Sequence, residues 1–392
     1  MKKKICLLST NRAEYDHLFW LYKSLKKEKK FDISFFLTGA HLSEKFGNTY
    51  QRSLDDQIAN KRYVKIKMLG DDLKDISETF SDALYKFTKI FKNYRPNLLI
   101  VIGDRFELLA VTMAASLNKI PIAHLNGGET TQGAQDEWIR HSITKISNLH
   151  FVANNDYKRR VIQLGENPQS VYTVGGLSSD NVKKTKLYNK IELEKILKTT
   201  IYKKTLLIVY HPETLSSQSS SKSFKKILNV LDKFKNTQIF FTGPNNDQGN
   251  KVINEMIKSF IKKNKNSFFF YNLGRKKYLS LLNLADLIVG NSSSGILEAP
   301  YTKTFTLNLG DRQKGRKMAK SVFNCKIDEI AIFRSIKNIL NKKNYNKYFH
   351  NLNSYYGNGK TSENVAQILK SHKLNFDFKK KFYDLNYNDK KK

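Results

Sequence analysis

The feature that most limits what this chain can become is an alternation of short, uninterrupted apolar runs with longer stretches carrying apolar residues at helical spacing. Strands are expected at 4–9, 31–37, 64–68, 98–102, 120–124, 149–153 and 171–174. Between them lie segments such as 76–94, where Ile76, Phe80, Leu84, Phe87 and Phe91 recur on one face of a helix. Strands with no polar alternation are buried on both faces, which predicts a parallel sheet with helices on each side. Gly175-Gly176 breaks the series, and it restarts at 206–210, 238–242, 267–271, 287–289 and 304–307, with further helices at 328–340 and 361–372. The predicted fold class is α/β, with two doubly wound Rossmann-like domains facing a cleft. They occupy 1–175 and 176–355, and 356–392 carries a last helix and a polar tail that is loosely held from Phe376 onward.

Charge narrows the partners. The 392 residues hold 69 Lys and Arg against 35 Asp and Glu, a net charge of +34. Only 12 of the cations are Arg, and the 57 Lys are spread along the chain, with a dense run only at Lys390-Lys391-Lys392. A protein that reads nucleic acid concentrates charge on one element and uses Arg at base edges. Abundant Lys, Asn, Ile, Phe and Tyr instead follow from an AT-rich coding bias, so a solvated basic surface with no specific nucleic-acid partner is expected. The apolar runs at 98–102 and 285–289 are far shorter than the roughly 20 residues of a membrane span. The N-terminal apolar stretch is too short for a signal peptide. With Cys6 and Cys325 alone there is no disulfide framework. A cytoplasmic setting with no membrane partner is expected.

In doubly wound sheets ligands bind beyond the carboxyl ends of the strands, and the unusual polar clusters of this chain fall there. Ser9-Thr10-Asn11-Arg12-Ala13-Glu14 follows the first strand and reads equally as a helix cap or as an anion site at a helix N-terminus. Gly103-Asp104-Arg105-Phe106-Glu107 places a carboxylate at another strand end, either as a cap or as a catalytic group. His124-Leu125-Asn126-Gly127-Gly128-Glu129 allows close backbone approach and delivers Glu129. Asp136-Glu137-Trp138-Ile139-Arg140-His141 adds acids and bases at a helix start. Acidic groups converging on one edge exceed what capping requires, and mutual repulsion is expected to raise their pKa values toward acid and base work.

The second half contributes His211-Pro212-Glu213-Thr214, where the imidazole binds phosphate, titrates or is structural. Gly290-Asn291-Ser292-Ser293-Ser294-Gly295 reads as a phosphate cradle, with Glu298 placed to accept from ribose hydroxyls. Gly310-Asp311-Arg312-Gln313-Lys314-Gly315-Arg316 adds cations suited to a diphosphate. Five of the 12 Arg lie in these clusters, at positions 12, 105, 140, 312 and 316. In a Lys-rich chain that placement points to planar bidentate contacts. Gly357-Asn358-Gly359-Lys360-Thr361 lacks the leading glycine and strand of a P-loop and reads as a turn. No G-x-G-x-x-G follows the first strand, so no nicotinamide cofactor is expected, and the eight His show no metal-ligand spacing.

Taken in order, these motifs resemble the hydrolysing UDP-N-acetylglucosamine 2-epimerases of bacterial sialic acid synthesis. Those carrying the resemblance are Asn11 to Tyr15, Gly39-Ala40-His41-Leu42, Gly103-Asp104-Arg105, Gly127-Gly128-Glu129, Asp136 to His141, His211 to Thr214, Gly290 to Pro300, Gly310 to Arg316 and Phe382-Tyr383-Asp384. The resemblance implies two glycosyltransferase-B-type domains with the last helix crossing back to the first. It implies conversion of UDP-N-acetylglucosamine and water to UDP and N-acetylmannosamine, through elimination to a 2-acetamidoglucal and rehydration. It implies Asp104, Glu129, Asp136 and His211 as catalytic residues. Arg12, His211, Tyr278, Ser292, Ser293, Glu298 and Arg316 would form the UDP site, with no metal or cofactor and a homodimer or homotetramer. Alternatives sharing the motifs are a hydrolysing 2-epimerase of UDP- or GDP-N,N′-diacetylbacillosamine, a non-hydrolysing 2-epimerase, and a glycosyltransferase of the same fold.

Overall fold

The computed structural model describes residues 2–44, 48–70, 72–213, 219–244, 249–342 and 345–385. Thr214 and the terminal Lys run lie outside the described residues. Seven strands form the first sheet: β1 (Lys3–Ser9), β2 (Phe31–Thr38), β3 (Lys61–Val64), β4 (Leu98–Ile102), β5 (Ile122–Leu125), β6 (Leu149–Val152) and β7 (Val171–Thr173), in the order β3-β2-β1-β4-β5-β6-β7. Six form the second: β8 (Thr205–Val209), β9 (Gln238–Thr242), β10 (Ser267–Phe270), β11 (Leu287–Gly290), β12 (Phe305–Leu309) and β13 (Val322–Cys325), in the order β10-β9-β8-β11-β12-β13. All pairings are parallel.

Alternate residues of each central strand enter different cores, the expected result of a side-chain period of two with helices on both faces. In β4, Leu98, Ile100 and Ile102 join one cluster, while Leu99 and Val101 join the other. In β8, Leu206 and Ile208 divide in the same way from Leu207 and Val209. Each such burial contributes roughly 1.5–3 kcal/mol. Strand order reverses between β1 and β4 and again between β8 and β11, so each sheet opens a crevice at its carboxyl edge. Among the described residues no helix is long and apolar enough to cross a membrane.

The helix Thr361–Ser371 packs on the first sheet's side, where Val365, Ala366 and Leu369 share a core with Leu18, Leu21 and Leu25 of the helix Arg12–Lys26. Asp180 fixes it there. Its carboxylate accepts from the amides of Thr361 and Ser362, each at 2.9 Å. The chain passes between the halves at two adjacent places, Gly175-Gly176 and Tyr356-Gly357, joined by a hydrogen bond of 2.8 Å from the Gly176 amide to the Tyr356 carbonyl. Gly175 and Gly357 both have positive φ (94° and 90°), and a Cβ on Gly357 would lie 3.0 Å from the Gly175 Cα. Gly357 to Lys360 form the turn that leads into this helix.

The tail is held more firmly than its polarity suggests. The Lys380 ammonium lies 2.6 Å from the buried Glu166 carboxylate. Phe382 packs on Gly165 beneath the Lys145 ammonium, which is 4.7 Å from the ring centroid. A buried carboxylate needing counter-charges, shared with Lys145 and His150, explains why this segment docks.

Candidate active site

The carboxyl edges of the two sheets face one cleft of about 290 Å3, lined by Arg12, Asp104, Glu129, Asp136, His211, Tyr278, Ser292, Ser293, Glu298 and Arg316 among others. Asp104, His211 and Ser292 stand just beyond strand ends, Arg12 and Asp136 open helices, and Tyr278 lies within the helix Gly274–Leu284. Asn11 caps the helix Arg12–Lys26, its side-chain oxygen accepting from the amides of Ala13 (2.9 Å) and Glu14 (3.1 Å). The cap therefore belongs to Asn11, and Arg12 stands at the first helical position. Its guanidinium donates across the cleft to the backbone carbonyls of Tyr271 (2.9 Å) and Gly243 (3.1 Å).

Asp104 follows β4 and is paired with Arg140. Arg140, on the helix Asp136–Ile146, is 1% exposed and also donates to the Glu129 carbonyl (3.0 Å), the Thr131 hydroxyl (3.0 Å) and the Glu137 carboxylate (3.3 Å). One guanidinium thus ties together three of the acidic clusters. Burial opposes ionisation of Asp104, but Arg140, Arg316 and Arg105 outweigh it and hold the carboxyl below its usual range. Glu137 is likewise held at about 2: burial raises it, while bonds from His141 and the Thr131 amide and the charge of Arg140 prevail. The expectation of mutually raised carboxylates fails for these groups, because buried arginines match them in number.

Elevated carboxyls occur elsewhere in the cleft. Burial lifts Glu14 to about 8, against hydrogen bonds from Thr10. Burial also lifts Glu298 to about 7, although Ser294 donates to it at 2.7 Å. Tyr278 donates to the same Ser294 hydroxyl at 2.6 Å, so Tyr278, Ser294 and Glu298 form one chain of hydrogen bonds at the second sheet's edge. Ser292 and Ser293 stand at the start of a single helical turn, Ser294–Leu297, where the Ser292 hydroxyl accepts from the Ser294 amide at 3.3 Å.

His211 is fixed by Asn291. The Asn291 side chain accepts from the His211 amide (2.7 Å) and donates to its carbonyl (2.8 Å). The Asn291 carbonyl in turn accepts from Arg312 (3.3 Å) and Gln313 (2.9 Å). Arg312 then reaches the first domain, 3.6 Å from Asp136, while Arg316 lies 2.8 Å from Glu129. The backbones of 129–133 and 311–316 approach closely because glycines face them. A Cβ on Gly133 would lie 2.7 Å from the Asp311 carbonyl, and one on Gly315 would lie 2.6 Å from the Thr130 hydroxyl.

Residues that sequence reasoning left out also line the cleft. Asp16, Arg52 and Arg275 form a cross-domain cluster, with Arg275 3.5 Å from Asp16 and 3.4 Å from Asp56. Contacts between residues more than 200 positions apart have no local signature. Arg140 did have one, its spacing of four from Asp136 on a helix.

Residues 23–370 match the UDP-N-acetylglucosamine 2-epimerase family. The chain is 39% identical, over 84% of its length and 86% of the relative, to the GDP/UDP-N,N′-diacetylbacillosamine 2-epimerase (hydrolyzing) of Campylobacter jejuni. It is 36% identical to polysialic acid biosynthesis protein P7 of Escherichia coli, over 98% of each chain. A third relative, the UDP-N,N′-diacetylbacillosamine 2-epimerase (hydrolyzing) of Legionella pneumophila, is 31% identical over 95% of this chain and 96% of its own. Among solved structures, UDP-GlcNAc 2-epimerase from Neisseria meningitidis bound to UDP-GlcNAc superposes with a TM-score of 0.80 at 18% identity, covering 95% of this chain and all of that one.

Proposed function

This chain belongs to the UDP-N-acetylglucosamine 2-epimerase family, and from that premise we propose that it is a hydrolysing 2-epimerase that releases UDP and a free 2-epimerised 2-acetamido sugar. The observation that carries this reading is the convergence of Asp104, Glu129 and Asp136 with Arg316 and Arg312 in one cleft. The substrate proposed first is UDP-N-acetylglucosamine, with N-acetylmannosamine as product for sialic acid synthesis. A relative named for polysialic acid biosynthesis, matched over nearly its full length, supports this choice.

The hydrogen on sugar C2 is not acidic, so its removal is coupled to departure of UDP from C1. A carboxylate takes the C2 proton, the C–H electron pair forms the C1=C2 bond, and the C1–O bond breaks with its pair leaving on UDP. Asp104, kept ionised by Arg140, Arg316 and Arg105, meets the requirement of a base, and Arg316 stabilises the departing diphosphate. Water then adds to C1 of the 2-acetamidoglucal as a proton is delivered to the opposite face of C2. Asp104 and Glu129 share these proton transfers, and Asp136 orders the water. His211, fixed by Asn291, faces the phosphates. Tyr278, Ser292, Ser293, Glu298 and Arg12 complete the nucleotide site.

A second reading, a hydrolysing 2-epimerase of nucleotide-linked N,N′-diacetylbacillosamine, is favoured by the names of the 39% and 31% identical relatives. Proton NMR of the purified protein in D2O, with UDP-N-acetylglucosamine and with UDP- and GDP-linked N,N′-diacetylbacillosamine in turn, tests both. Release of UDP with free N-acetylmannosamine deuterated at C2 is the expected result. Turnover of the bacillosamine substrate alone moves the assignment to the second reading, and turnover of neither overturns both.

A further inference from the structure

We propose that Arg316 is shared between Glu129 and the diphosphate of the bound nucleotide, so that the charge at one partner sets the affinity of the other. The identity of the anion rests on the 2-epimerase reading above; the sharing itself rests on geometry. Arg316 Nη2 lies 2.8 Å from the Glu129 carboxylate, and the two side chains are 8% and 2% exposed. Arg316 Nε and Nη1 are also buried but have no hydrogen-bond partner among the described residues. A guanidinium carries five N–H donors, and one carboxylate oxygen occupies one of them. A buried donor without a partner has already lost its water, so an anion entering the cleft that Arg316 lines gains donors that are already desolvated.

The guanidinium is shared rather than exchanged, because its loop is docked. The Gln132 amide donates to the Lys314 carbonyl at 3.2 Å, Gly315 leaves no room against Thr130, and Lys317 pairs with Asp156 at 3.1 Å. The other charged or titratable groups around Arg316 are Arg140 and Asp104, the Tyr157 and Tyr356 phenols, and His17. Arg140 is committed to the Asp104 carboxylate and meets Glu129 at its backbone carbonyl, whereas Arg316 pairs with the Glu129 carboxylate itself. A diphosphate drawing on Arg316 competes with the Glu129 carboxylate for the same guanidinium charge. Charge at Glu129 and charge on the departing diphosphate are therefore coupled through one side chain.

Coupling between sites is reciprocal, which gives a test that needs no turnover. Calorimetric titration with UDP and with uridine is made on the unaltered protein, Glu129→Gln, Arg316→Ala and the double variant. Glu129→Gln should bind UDP at least about fivefold more tightly, with uridine binding unchanged, and the gain should vanish in the Arg316→Ala background. Glu129→Asp, which withdraws the carboxylate but keeps its charge, should show a smaller gain and serves if Glu129→Gln melts early. Equal or weaker UDP binding by a folded Glu129 variant overturns the sharing, as does a gain that persists without Arg316. Failure of the unaltered protein to bind UDP overturns the 2-epimerase reading, and this inference with it.

Discussion

Arg12, on the first helix of the first domain, donates 2.9 Å across the cleft to the backbone carbonyl of Tyr271 in the second. With its bond to Gly243, this makes a charged fork onto two backbone carbonyls of the second domain. Hydrogen bonds to charged groups contribute about 1.5–3 kcal/mol each. Arg12→Ala is therefore expected to widen the cleft and raise the KM for the UDP-sugar by tenfold or more, on the order of one such bond. Lysine should rescue poorly, since an ammonium lacks the planar fork. Small-angle scattering checks the opening, and an unchanged radius of gyration with an unchanged KM would refute the clasp.

Arg140 serves Asp104, Glu129, Thr131 and Glu137 at once. Arg140→Lys cannot reach all four, and kcat should fall by roughly 100-fold or more, the scale of an acid–base contribution. Asp104 also loses its hydrogen bond from the guanidinium that most lowers its pKa, and a shorter-reaching ammonium restores that charge at a greater distance. A carboxylate that must be ionised to act then needs a higher pH, so the acid limb of the kcat/KM profile should move upward. A lower kcat with an unmoved acid limb would mean that Arg140 only props the loop.

Gly133→Ala places a methyl group 2.7 Å from the Asp311 carbonyl and pushes the 311–316 loop off the acidic wall. Because Arg312 and Arg316 ride on that loop, turnover should drop at least tenfold, about the effect of a small misplacement of catalytic groups. The melting temperature should change little, since the hydrophobic cores are untouched. Wild-type kcat in this variant would show that loop docking is irrelevant to the reaction.

Burial lifts the Glu298 carboxyl from 4.5 to about 7. Between those values the folded state binds more protons than the unfolded one, so stability falls as pH rises through this window. Glu298→Gln removes that proton difference. The melting temperature of the variant, followed from pH 5 to 8, should decline less steeply than that of the unaltered protein. Parallel curves would show that Glu298 titrates normally.

Asp180 is fully buried and accepts from the first two amides of the helix Thr361–Ser371. Asp180→Ala strands those buried donors and removes one of the two carboxylates that hold the Lys184 ammonium, and should cost about 2–4 kcal/mol. Urea denaturation measures this. A loss within the noise of a surface substitution would contradict the anchoring role.

How much of this was legible from the residues depended on range. The strand at 98–102 was readable to the residue, because five consecutive apolar side chains need cover on both faces. The edge strand Val322–Cys325 was not, since it is half-exposed and contains Asn324. Edge position also explains why the third strand lies at Lys61–Val64 and not at 64–68. The cap reading of the polar motif after the first strand holds in part: Asn11 caps the first helix and Arg12 begins it. The strand-end clusters could be found because topology alone sends strand ends to the cleft. Which acid meets which arginine could not be read, since Arg316 and Glu129 are brought together only by the docking of two domains.

The paired crossings at Gly176 and Tyr356 carry a mechanical implication. Both covalent connections between the halves leave from the same spot and are laced to each other, so the halves have a single pivot and no second tether to stretch. Closing the cleft is then a swing about one point. What decides how far the swing goes is chemical: the arginines that line the cleft, which find either carboxylates and carbonyls or a phosphate-bearing guest.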